Sequence, residues 1–105
     1  MLRQKINRLP KLKPCQIELT INAQKDLIKI PVYIKEKLLL WVDSVERMGI
    51  QKIRTIPGFH DEPLKGDRQG QRSIRLNKAY RAIYVENEQN DIVIISVIEV
   101  NKHEY

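Results

Sequence analysis

Nine residues near the C-terminal end of the chain, residues 92–100 (IVIISVIEV), are all β-branched except Ser96 and Glu99. Branching at Cβ favours extended backbone, and apolar side chains on both faces put such a run inside a sheet, not at its edge. The rest of the chain must supply strands to pair with it. Residues 72–76 and 80–85, joined through Asn77-Lys78-Ala79, read as an antiparallel hairpin, and NEQND at residues 87–91 is a second turn leading into the central strand. Residues 16–21 (QIELTI) alternate polar and apolar, with Ile17, Leu19 and Ile21 on one face, the pattern of a half-buried strand.

Between these strands lie two helical patterns. Asn22 can cap a short helix running to Ile30, with Leu27, Ile28 and Ile30 facing inward. Pro31 suits the first turn of a second helix, which runs to Met48 and stops at Gly49. Within it Ile34, Leu38, Trp41, Val42, Val45 and Met48 recur at helical spacing and form one apolar stripe for the core. Val32, Leu39 and Leu40 fall roughly 120–160° from the centre of that stripe on a 3.6-residue wheel. Either a partner docks on them or the N-terminal residues cover them. Residues 50–56 suggest at most a helical turn, and residues 57–70 form a loop punctuated by Pro63, Gly66 and Gly70. The order β-α-α-β-β-β predicts an α+β domain, a small mostly antiparallel sheet with the N-terminal helices packed on one face.

A chain of 105 residues holds one such domain, over residues 16–105. Residues 1–15 carry five basic residues, no acid and two prolines, which reads as a basic arm, either disordered or gripping a polyanion. A single cysteine, Cys15, excludes an internal disulfide. His60 and His103 stand far apart with no cysteine near them, so no metal site and no cofactor is expected. The apolar runs are too short to span a bilayer, and no apolar h-region follows the basic start. The expected location is the cytoplasm.

The net charge of +6 is concentrated. Residues 51–84 hold eight Lys or Arg against three acids. A strand pair this positive repels itself unless an anion meets it, and RNA phosphate is the expected one. Ile74 and Leu76 share one strand face, so Ser73 and Arg75 share the other. Either face of residues 80–85 could be buried, so Arg81 is a charge beside apolar neighbours. It either pairs internally with Glu99 or presents its planar fork to a phosphate. The last residues, Lys102, His103, Glu104 and Tyr105, gather groups able to exchange protons, histidine best of all near neutrality.

Taken together, GFHDEPLKGDRQGQRSIRLNKAYRAIY at residues 58–84 and the ending VNKHEY resemble the HigB-like branch of the RelE/ParE superfamily of type II toxin–antitoxin toxins, over residues 16–105. The resemblance implies a metal-independent endoribonuclease that cuts mRNA, mostly in the ribosomal A site. A 2′-hydroxyl attacks the adjacent phosphorus and leaves a 2′,3′-cyclic phosphate and a 5′-hydroxyl. Such chemistry needs a base, cations for the phosphorane and an acid. On the matching motifs, Glu62 before the PLKG turn is a base or orients one. Lys65 of that turn and Arg81 of YRAIY stabilise the transition state, with Arg75 of SIRL beside them. His103 and Tyr105 occupy the catalytic tail, His103 as the acid. Relatives often end in YHY or DYH, whereas Glu104 here separates His103 from Tyr105, so the division of roles between those two stays open. Arg68, Arg72, Lys78 and Lys102 join Arg75 as RNA-binding cations. The implied partners are mRNA, the ribosome and a cognate antitoxin, a HigA-like helix-turn-helix protein that would dock on Leu39 and Leu40. Two other readings stand beside this one: a ParE-like poison of DNA gyrase, which needs no catalytic set, and an inert remnant that still binds antitoxin or RNA.

Overall fold

The computed structural model describes residues 15–102, so the arm expected over residues 1–15, apart from Cys15, and the tail residues His103 and Tyr105 lie outside the described residues. Five strands form one sheet in the order β1-β5-β4-β3-β2: β1 (Cys15–Leu19), β2 (Glu62–Pro63), β3 (Arg72–Arg75), β4 (Tyr80–Gln89) and β5 (Ile92–Lys102). The β-branched run is indeed interior, flanked by β4 antiparallel and by β1 parallel. The helices carry the chain from β1 at one edge of the sheet to β2 at the other. β2 is a two-residue edge strand that the sequence pattern does not show.

Helix α1 (Ile21–Ile28) begins two residues earlier than expected. Thr20, not Asn22, is the N-cap, its Oγ1 accepting from the Ala23 N–H and donating to the Ile98 carbonyl of β5. The shift turns the helix, so Ile28 is 79% exposed while Ala23 is buried. Helix α2 (Val32–Met48) lies as expected, with Ile34, Leu38, Trp41 and Val45 fully buried and Gly49 at positive φ closing its end. A single turn, α3 (Ile50–Ile53), buries Ile50 and Ile53 beneath it. Each fully buried aliphatic or aromatic side chain contributes about 1.5–3 kcal/mol. Trp41 meets Tyr84 of β4 with ring centroids 5.3 Å apart, joining helix to sheet.

The turns follow side-chain chemistry. Asn77 Oδ1 accepts from the N–H groups of Ala79 and Tyr80, both at 2.8 Å, and so closes the β3–β4 connection. Between β4 and β5 the turn is tighter than the five residues expected. Asn90 and Asp91 both take positive φ, and the strands pair up to Gln89 and Ile92.

One irregularity decides which side chains face where. Ile83 pairs with Glu99, yet Tyr84 pairs with Val97, so Ile98 is an extra residue, a β-bulge. Before it, Val93, Ile95 and Val97 point at the helices; after it, Val100 does. Glu99 and Asn101 are thereby turned to the opposite, uncovered face.

Candidate nucleic-acid cleft

On the uncovered face, strand register lays side chains in rows. One row runs Glu62, Ser73, Ile83, Glu99, and the next runs Arg75, Arg81, Asn101. A small cleft of about 40 Å³ opens along them, lined by His60, Glu62, Ser73, Arg75, Lys78 and Arg81 among others. Arg75 and Arg81 are directly opposite each other on neighbouring strands. Like charges so placed destabilise a sheet. Among the described residues neither has an ion-pair partner, and the Arg81 Nε is buried with nothing to donate to. Across from it, the Asn101 Oδ1 is buried with no donor. Orphaned polar atoms of this kind cost free energy in the unliganded protein, and a bound oxyanion supplies the acceptor that Arg81 lacks.

Of the two readings of Arg81, the internal pair with Glu99 is not found. Glu99 instead accepts from Arg68 Nη2 at 2.9 Å and from the Asn101 side-chain amide. Arg68, which also donates to Gln71 Oε1 at 2.9 Å, thereby straps the loop over residues 64–71 onto the sheet. Lys65 stands on that loop, exposed, just before the 3₁₀ turn Gly66–Arg68, and is not among the cleft-lining side chains. Lys102 is exposed at the end of β5, opposite Tyr80.

Arg72 lies on the other face. Its Nε donates to Asp61 Oδ1 at 2.6 Å. Asp61, with its side chain 1% exposed, also accepts from the Tyr84 hydroxyl at 2.5 Å, and Arg54 lies 3.9 Å away. Arg54 in turn donates to Tyr84 Oη at 3.1 Å and to Glu86 at 2.8 Å. Burial, reinforced by the neighbouring carboxylate of Asp61, holds the Tyr84 phenol well above its ordinary pKa. Burial pulls the Arg54 guanidinium downward, but its bonds to Glu86 and Tyr84 outweigh that and its net shift is upward. Asp61 therefore anchors its loop to the covered side, and the alternation of extended backbone sends Glu62 to the cleft side.

Sequence reasoning missed Asp61, His60 and Asn101. Their roles depend on the bulge and on loop anchoring, neither of which has a periodic signature. Leu39 and Leu40 lie on α2, across the sheet from the cleft, 58% and 53% exposed, beside Val32 and Tyr33, which are also exposed. Among the described residues no three His, Cys, Asp or Glu side chains converge to hold a metal ion, and no helix is long and apolar enough to cross a membrane.

No protein-family model matches the chain, and no curated protein sequence does either. Solved structures match over nearly all of the described residues. The YoeB/ParE toxin from Agrobacterium tumefaciens superposes with a TM-score of 0.65 at 21% identity, covering 85% of this chain and 99% of that one. The fold is that of RelE/ParE-type toxins. YafQ from E. coli gives a TM-score of 0.67 at 14% identity, covering 84% of this chain and 92% of its own. A chain of the RelBE2 toxin–antitoxin complex from Mycobacterium tuberculosis gives 0.60 at 22%, covering 86% and 99%.

Proposed function

We propose that the chain is the toxin of a type II toxin–antitoxin pair and acts as a metal-independent mRNA endonuclease, HigB-like in its motifs. The observation that carries the reading is the Arg75–Arg81 pair, two arginines opposite each other on neighbouring strands with no ion-pair partner among the described residues, one with a buried unpartnered Nε, in a cleft that also holds Glu62. Supporting it are the fold shared with YoeB/ParE and YafQ and the residue motifs of the sequence.

In this reading the 2′-hydroxyl proton leaves toward the Glu62 end of the cleft and the 2′-oxygen attacks phosphorus. Arg81 and Arg75 hold the charge that gathers on the nonbridging oxygens, with Lys65 brought in by its loop. The 5′-oxygen departs with a proton from the tail, His103 in first place with Tyr105 beside it. The ribosome supplies the mRNA in an extended form, and the cognate antitoxin docks on the exposed apolar side of α2 around Leu39 and Leu40.

The test is cleavage of a defined mRNA, free and on programmed ribosomes, with the ends mapped. We expect cuts on ribosomes leaving 5′-hydroxyl ends, and loss of at least about 10²-fold in Arg81→Ala with an unchanged melting temperature. Intact RNA in both tubes would overturn the nuclease and send the question to gyrase supercoiling.

A further inference from the structure

Among the described residues one imidazole sits in the cleft, and no motif assigns it a role. His60 lines the cleft with Glu62, Arg75, Lys78 and Arg81. Its backbone is left-handed, with φ 49° and ψ 48°, at the end of the 3₁₀ turn Pro57–Phe59, and its N–H donates to the Pro57 carbonyl at 3.0 Å. Left-handed backbone is uncommon outside glycine, although histidine tolerates it better than most residues, and such positions gather at functional sites. Here its cause is visible. Phe59 on one side is 6% exposed in the core, and Asp61 on the other is locked to Arg72 and Tyr84. Two inward anchors flank His60 and hold it out on the cleft rim, exposed to what enters.

We infer that His60 is a second proton-transfer residue, the base that takes the 2′-hydroxyl proton, with Glu62 carrying the compensating negative charge. The inference rests on the nuclease reading above. His60 and Glu62 are two positions apart on a chain entering β2, so both address the same end of a bound phosphodiester. Imidazole is the side chain suited to accept a proton near neutrality. The atoms balance: the 2′-O–H proton goes to the imidazole, the 2′-oxygen bonds to phosphorus, and the 5′-oxygen leaves with the proton of the acid on the opposite side. Arg75, Lys78 and Arg81 from β3, the turn and β4 line the same cleft as the imidazole with positive charge, and Glu62 from β2 with negative charge.

The test is the pH–rate profile of the full-length protein on ribosome-bound mRNA, wild type against His60→Asn. Asparagine tolerates left-handed backbone, so this variant keeps the loop. We expect a loss of 10²–10⁴-fold and disappearance of the acidic limb of the profile. A second variant, His60→Gly, relieves the backbone and leaves room, so added free imidazole should restore part of the rate. A wild type that cuts, with His60→Asn within threefold of it and the same acidic limb, overturns the role of His60 and leaves the nuclease standing. A wild type that cuts nothing overturns the nuclease reading, and the role of His60 with it.

Discussion

Asp61 holds three partners at once, the Arg72 guanidinium, the Tyr84 hydroxyl and, at longer range, Arg54. A buried carboxylate so held is stabilising only in company, and removing its charge leaves Arg72 without its counter-ion while Arg54 keeps Glu86. Asp61→Asn should lower stability by about 3–5 kcal/mol, read from the urea midpoint. Tyr84 makes the same network sensitive to alkali. Its folded pKa is raised, so the folded protein keeps the phenolic proton where the unfolded chain gives it up. The stabilisation is whole below the unfolded value of about 10 and is lost as pH rises through the range above it, by up to about 1.4 kcal/mol per unit. Urea midpoints at pH 9, 10 and 11 should fall steeply in the wild type and less in Tyr84→Phe; equal slopes would place the alkaline loss elsewhere. Neither Asp61 nor His60 could be read from the sequence. Both stand in a loop with no period, and what distinguishes them is which way a buried Phe59 and a paired Arg72 turn the chain.

Elements with a strong local period were legible. The apolar stripe of α2, the hairpin of β3 and β4 and the interior position of β5 all follow from spacing that repeats every two or 3.6 residues. Illegible were the features made by distant partners. The β1–β5 pair joins segments nearly eighty residues apart, and no local period shows that it is parallel. The bulge at Ile98 costs the β5 ladder one residue and turns Glu99 and Asn101 to the uncovered face. Beyond the point where β1 ends, the Val100 N–H has no strand to pair with, and Asp26 of α1 accepts it at 3.0 Å. Asp26→Ala should therefore cost about 1–3 kcal/mol for a stranded buried donor and speed amide exchange at Val100. Unchanged exchange there would show that water serves the donor as well as Asp26 does.

The whole molecule separates its two surfaces. Cations gather on the uncovered face and the neighbouring loop, exposed apolar side chains on the far side of the helices. Two of the arginines counted as RNA contacts from sequence hold acids of the fold instead, Arg68 with Glu99 and Arg72 with Asp61. If Lys65, Arg75, Lys78, Arg81 and Lys102 are the cations that meet phosphate, binding to a 2′-O-methyl RNA should weaken with salt along a log–log slope of about −3 to −4. A slope near −5 would mean that Arg68 and Arg72 leave their acids on binding, and a flat response would remove the phosphate contacts altogether.

The position of β5 also has a meaning in time. β5, an interior strand, is the last described segment to be synthesised, and its neighbour β1 waits some eighty residues for it: Cys15 pairs with Val93. Until then the helices lack Val93, Ile95, Val97 and Val100 of their core, and Arg81 has no Asn101 across from it. A chain ordered this way folds late and slowly, since its decisive contacts span nearly its whole length. The sheet is therefore complete only once β5 has been made.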